Sequence, residues 1–243
     1  MRAAILALML ITQAATTAAP YDVTKFTASK PVLVCDLDLG RMKGQFRRLA
    51  WSNDGAYIYL QTIEGGDTAR DYIVSLADRT VSVAFGEPEW ASAYWAMKSD
   101  FAAPGNPALR IELAREDRRT RVTPFLGGTN AGNGAFTPDP KNSADAYAFD
   151  TTLWLLGWRI GEWTNGDPFA GENFSWGPAG SGAILFINDG VLTLMDQFKH
   201  RTRIAPAKGM TLPAWSSDGR RVAFLERTGR RAYRLMVMAV IQS

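Results

Sequence analysis

Two stretches near opposite ends of this chain follow one pattern. Leu49-Ala50-Trp51-Ser52-Asn53-Asp54-Gly55-Ala56-Tyr57-Ile58-Tyr59-Leu60 matches Pro213-Ala214-Trp215-Ser216-Ser217-Asp218-Gly219-Arg220-Arg221-Val222-Ala223-Phe224. Each has an aromatic anchor, an Asp-Gly turn and then an alternating strand. Asp-Gly suits a tight hairpin, because glycine tolerates positive φ and aspartate bonds its own backbone. A third copy runs from Phe174 through Trp176 to Phe186. A weaker one starts at Glu89-Trp90-Ala91-Ser92, and the weakest is Ala135-Phe136-Thr137-Pro138-Asp139, with Phe in the Trp position. The anchors at 51, 90, 136, 176 and 215 are spaced by 39, 46, 40 and 39 residues. A period of this length means units that bury their apolar faces only against one another.

The second halves of the units also match. Tyr72–Leu76 leads to Arg79-Thr80-Val81, Leu109–Leu113 to Arg119–Val122, and Val191–Asp196 to His200–Ile204. Each is an alternating strand, a polar turn and a short strand, so one unit is four strands, as in a propeller blade. No stretch has a convincing long helical period. The fold expected is all-β: a β-propeller of five four-stranded blades, or six if residues 21–48 form a blade of their own. A pair of β-sandwiches is the competing architecture, although sandwiches need no fixed period. The final repeat supplies only three strands, around Pro213–Ser216, Arg221–Leu225 and Tyr233–Val240. The segment Val32–Leu37 with Gln45–Leu49 offers the missing material. An N-terminal strand is therefore expected to complete the last blade, and loss of residues 21–48 to destabilise the whole ring.

The Ala-Trp-Ser-x-Asp-Gly pattern, strong at 49–60 and 213–224 and present at 174–186, resembles the WD-like propeller repeats of the TolB-type family. The likeness covers most of the chain and concerns the propeller part alone. It implies a β-propeller and, for an exported propeller, a binding platform in the cell envelope.

Met1-Arg2, the apolar run Ala3–Ile11 and the small polar residues up to Pro20 have the layout of a secretory signal. Residues 1–19 are read as that signal and 20–243 as one domain, periplasmic or secreted. The run is too short to span a bilayer, which takes about 20 residues, so no membrane-spanning segment is expected. Lys and Arg total 27 against 24 Asp and Glu, a net charge of +3, which gives no electrostatic case for nucleic acid. The one cysteine, Cys35, excludes an internal disulfide and a cysteine zinc site, and its apolar setting suggests a buried thiol. The one histidine, His200, sits between Lys199 and Arg201, a poor setting for a general base. No metal and no cofactor are expected. Gly127–Gly134 lacks the Gly-Lys-Ser/Thr ending of a phosphate loop and reads as an inter-blade loop able to line one mouth of the channel.

Of eight tryptophans, Trp51, Trp90, Trp176 and Trp215 are repeat anchors. Trp154, Trp158 and Trp163 are the candidate ligand contacts. In Leu153–Ile160, Trp154 and Trp158 fall on one strand face. Exposed rings there would stack on a sugar or grip a peptide; the competing reading is packing of an irregular middle blade. Asp36, Asp38, Glu87, Glu89 and Glu162 are carboxylates near presumed strand ends, where rim solvation is the ordinary role. A glycosidase would need two of them roughly 5–10 Å apart. Asp54, Asp139 and Asp218 belong to the turns. Arg115, Arg118, Arg119 and Arg121, and the group from Arg220 to Arg234, read as solvated rims. No Gly-x-Ser-x-Gly elbow is present. The function expected is a non-enzymatic, monomeric, exported scaffold that binds a protein or peptide. The alternative is a five-bladed glycan-binding or glycan-hydrolysing propeller.

Overall fold

The computed structural model describes residues 19–65, 68–99, 102–117, 122–126, 149–163, 174–188 and 190–243. The anchor at Phe136, the glycine stretch 127–134, Asp139, Arg118, Arg119, Arg121 and nearly all of the leader lie outside these residues.

The described chain is mostly β, in antiparallel sheets. It opens with a 3-10 turn (Val23–Lys25), β1 (Phe26–Ala28), β2 (Val32–Asp38) and a one-turn helix α1 (Leu39–Met42). The first sheet is a meander of β3 (Gln45–Trp51), β4 (Tyr57–Glu64), β5 (Thr68–Ser75) and β6 (Thr80–Ala84). Helix α2 (Glu89–Ser99) and a two-stranded ribbon, β7 (Ala102–Ala103) with β8 (Asn106–Arg110), follow. A second four-stranded sheet has the order β10-β9-β11-β12, from β9 (Glu112–Asp117), β10 (Val122–Leu126), β11 (Phe149–Leu155) and β12 (Trp158–Trp163). A third is again a meander: β13 (Phe174–Trp176), β14 (Ala183–Asn188), β15 (Val191–Asp196) and β16 (Arg201–Pro206). The last comprises β17 (Met210–Trp215), β18 (Arg221–Arg227) and β19 (Ala232–Gln242), with β1 and β2 both on the outer edge of β19.

The N-terminal segment lies antiparallel along the whole of β19. Phe26 pairs with Gln242, Ala28 with Val240, Val32 with Val237 and Asp38 with Ala232. The ladder breaks at Ser29-Lys30-Pro31, where proline has no N–H to give, and Ser29 bridges the break: its N–H donates to the Ala239 carbonyl and its Oγ accepts from the Ala239 N–H.

The repeated motif has one geometry in two sheets. Ser52 Oγ donates to Asp54 Oδ1 at 2.6 Å, and Ser216 Oγ donates to Asp218 Oδ1 at 2.5 Å. Those carboxylates accept the N–H of Ala56 and of Arg220, and the serine hydroxyls accept the N–H of Tyr57 and of Arg221. In the third copy Gly177 holds the serine position and Ser181 supplies the hydroxyl, accepting from the Ala183 N–H. The first strands of these sheets lie side by side, β17 against both β3 and β13. Trp51 Nε1 donates to the Ala214 carbonyl at 2.9 Å, and the Trp215 N–H donates to Ser175 Oγ at 3.0 Å. Trp51, Trp176 and Trp215 are all buried, and the Trp215 Nε1 donates to the Gly219 carbonyl of its own turn at 3.0 Å.

The segment at Trp90 departs from the expected repeat. Glu89–Ser99 is a helix, not the first strand of a unit. Its three alanines, Ala91, Ala93 and Ala96, favour helix, the Pro88 carbonyl accepts the N–H groups of Ala91 and Ser92, and no Asp-Gly turn follows. Ala91, Tyr94 and Trp95 are buried at helical spacing. Tyr94 Oη donates to the Trp215 carbonyl at 2.9 Å and lies 3.2 Å from Ser175 Oγ, so the helix fastens two sheets. The strands around 112–126 and 149–163, which the spacing assigns to two units, share one sheet because β11 returns to the free edge of β9.

Candidate functional site

The tryptophans at 154 and 158 do not share a strand. The chain turns at Leu156-Gly157, with φ of 52° and 84°, which ends β11 and starts β12. Leu155 then faces Trp158 and Trp154 faces Arg159, which puts Trp154 and Trp158 at register positions on opposite faces. A bulge follows, and Trp163 lies opposite Thr151. The Trp158 ring is 40% exposed, with the Arg201 guanidinium carbon 3.4 Å from its centroid. That is a cation–π stack joining the β11–β12 hairpin to β16.

A groove with a volume of about 530 Å³ opens where the N-terminal segment meets the last sheet. The β18–β19 ladder ends at Arg221 and Ala239. Val240 N–H still donates to the Arg220 carbonyl at 2.7 Å, but among the described residues no strand pairs that edge of Ile241 and Gln242. Tyr21 and Phe26 form the aromatic side, their ring centroids 5.1 Å apart and each packed near Trp215. Asp218, Gly219 and Arg220 also line the groove, and Ile241 is 52% exposed. Burial, then the nearby Asp218 charge, raise the Tyr21 phenol above its ordinary value, so it is a neutral donor. Burial pushes Asp218 up, but the Ser216 hydroxyl, the Arg220 N–H and the Arg221 and Arg220 charges outweigh it and hold the carboxyl low. The groove thus presents a strand edge, an aromatic wall and one fixed charge of each sign. Among these, Asp218 and Gly219 stand out in the sequence as a turn and Arg220 as part of a rim. A groove assembled from both chain ends leaves no local motif.

A polar row crosses the face of the first sheet that meets α2. Arg48, Gln61 and Asp71 are direct cross-strand neighbours on β3, β4 and β5. Tyr59 Oη donates to Asp71 Oδ1 at 2.6 Å, and Gln61 Nε2 donates to both. Arg48 Nη1 reaches the two oxygens of Glu87 at 3.3 and 3.1 Å, and its guanidinium lies 4.9 Å from the Trp95 ring. Burial, then Asp71, raise the Tyr59 phenol. Of the other carboxylates, Asp36 pairs with Arg234, Asp38 accepts the Gly40 N–H at the start of α1, and Glu89 sits in the first turn of α2.

Asp22, Asp196 and His200 bring three potential ligand atoms within 4.8 Å of one another. Asp196 Oδ1 already accepts the N–H groups of Phe198 and His200, and Oδ2 faces the Val23 N–H and His200 Nδ1, at 2.9 to 3.3 Å. A carboxylate offers about four lone-pair positions, and all are used. Asp22 Oδ1 accepts twice from Thr24. The donor set suits a clasp between the N-terminal segment and the β15–β16 turn, not a metal ion. Cys35 lies half-buried on β2, its thiol pushed up to about 11 by burial and by Asp36. Among the described residues no helix is long and apolar enough to cross a membrane.

No family model and no curated protein matches the sequence. Among solved structures, TolB from Acinetobacter baumannii is 14% identical, with 83% of this chain and 44% of that one covered, at a TM-score of 0.25. The Dos1 propeller is 13% identical, with 79% and 41% covered, at a TM-score of 0.22. The chain spans less than half the length of either. Likeness at this level assigns no residue and no role here.

Proposed function

We propose that this chain is an exported, non-enzymatic scaffold of the β-propeller type that binds a protein or peptide. In this reading the four-stranded sheets, joined through Trp51, Trp176 and Trp215, are successive blades, and the N-terminal strand on β19 is the seam of the ring. The observation that carries the binding role is the groove beside the end of β19. An extended peptide can add to the open edge at Ile241 and Gln242, place an apolar side chain on Tyr21 and Phe26, and meet Asp218 and Arg220 with its polar groups. A peptide library displayed against the chain from Ala19 onward tests this. Binders should lose at least about tenfold in affinity with Ile241→Arg. Binders indifferent to that substitution, or a library that yields none, would contradict the reading.

A glycan-binding role is the second reading, and it rests on Trp158. A half-exposed indole with a guanidinium on its ring is the pairing that stacks and bonds a sugar. Quenching or shift of tryptophan emission by oligosaccharides, abolished in Trp158→Ala, would favour it.

A further inference from the structure

Among the described residues, the outer edge of the first sheet is apolar and pairs with no further strand. Val81 and Val83 on β6, with Phe85 just beyond it, are 38%, 70% and 107% exposed. Val81 stands opposite Val74 and Val83 opposite Tyr72, both buried, so the apolar face of the sheet runs past its cover onto the edge strand. The β5–β6 ladder has no bulge, and Thr80 to Gly86 contains neither proline nor charge. Natural edge strands use those devices to block pairing. The nearest charges are opposite in sign and equidistant from Val83: Arg79 and Glu87.

We propose that β6 pairs antiparallel with β6 of a second copy of this chain, about a two-fold axis through Val83. In such a pair the two residue numbers facing each other have a constant sum. An axis at Val83 sets Val83 against the partner's Val83, Val81 against the partner's Phe85, and Arg79 toward the partner's Glu87. Moving the axis to Ser82 or Ala84 brings neither charge to its opposite. The strand is therefore complementary to itself: neutral and apolar along its length, with opposite charges meeting at both ends. Glu87 keeps a carboxylate edge on Arg48 and adds the second cation from outside. A five-residue pairing is at the low end of interface sizes, below about 1,200 Å², so the dimer is weak and concentration-dependent, in the micromolar range.

Sedimentation equilibrium of the chain from Ala19 onward, from about 1 to about 300 µM, tests the association. Val83→Lys, at an exposed position, should raise the dimer dissociation constant at least about tenfold while the circular dichroism spectrum is unchanged. The register is tested by cysteine pairing in a Cys35→Ser background. Directly opposed strand residues have Cα atoms about 4.5–5.5 Å apart, within disulfide reach. Val83→Cys should therefore oxidise to a covalent dimer, and Val81→Cys, set against a phenylalanine, should do so at least about tenfold more slowly. A monomer at the highest concentration, a dimer that survives Val83→Lys, or equal cross-linking at both positions would each overturn the proposal.

Discussion

Gly55 and Gly219 hold the same place in two copies of one turn, and different neighbours crowd each. Both have positive φ, 66° and 74°. A Cβ on Gly55 would fall 1.9 Å from Arg221 Nη2, and one on Gly219 would fall 2.4 Å from Tyr21 Oη and 3.0 Å from Pro178 Cγ. Arg221, which donates to the Gly55 carbonyl at 3.0 Å and lies 4.8 Å from the Trp51 ring, locks one sheet to the next; Tyr21 takes that place at the following junction. Gly219→Ala should therefore destabilise by more than the roughly 1–2 kcal/mol of left-handed strain alone. Gly190→Ala, with φ of 70° and nothing within 4 Å, should cost only that strain. Urea unfolding of the two variants measures the difference. The Ser–Asp pairs of the turns give a pH signature. The Ser52 hydroxyl, then the Ala56 N–H, hold Asp54 below the ordinary carboxylate value, and Asp218 is also held low. A depressed carboxylate stabilises the fold above its unfolded pKa of about 3.9 and loses that contribution as pH falls through the folded value. Stability should decline below about pH 4, and the decline should be shallower in Asp218→Asn, as acid titration of unfolding reports. The raised Cys35 thiol stays protonated at neutral pH, so alkylation should be slow in the folded chain and fast in denaturant.

At the scale of elements, what could be read in advance depended on whether the signal was local. The Asp-Gly turns and the strands after them were legible because serine, aspartate and glycine each have one conformational reason to be there. The hairpin at Leu156-Gly157 was not, because leucine at positive φ has no such signal, and the run from Leu153 to Ile160 reads as one continuous strand. Helix α2 was missed at Trp90 because an aromatic followed by small residues fits both a repeat anchor and a short amphipathic helix; its buried Tyr94 hydroxyl decides for the helix only in three dimensions. The candidate groove was the least legible, since Tyr21 and Ile241 meet only through the β1–β19 pairing. The β15–β16 turn rests on one residue, Asp196, whose side chain is fully buried. Asp196→Ala leaves the N–H groups of Val23, Phe198 and His200 without their acceptor, at a cost of about 1–3 kcal/mol for each one left unsatisfied. The expected result in chemical denaturation is a loss of several kcal/mol.

At the scale of the whole molecule, the N-terminal segment ties together parts of the chain that are far apart in sequence. Val23 is wholly buried. Its carbonyl accepts from Thr202 Oγ1 at 2.6 Å on the third sheet, while Phe26 to Asp38 pairs with the fourth. In the reading proposed here that segment seals a ring; in the bland alternative it is an attached tail. The two differ in cooperativity. A tail can be removed with little effect, whereas a seam leaves the outer edge of β19 unpaired and exposes the apolar surface around Phe26 and Leu37. Calorimetric unfolding of the chain from Ala19 onward, beside the same chain begun at Leu39, measures this directly. At roughly 2–4 °C per kcal/mol for a protein of this size, loss of a seam worth several kcal/mol should lower the single transition by more than about 10 °C or render the shortened chain insoluble. A shortened chain that stays soluble and unfolds at the same midpoint would contradict the account.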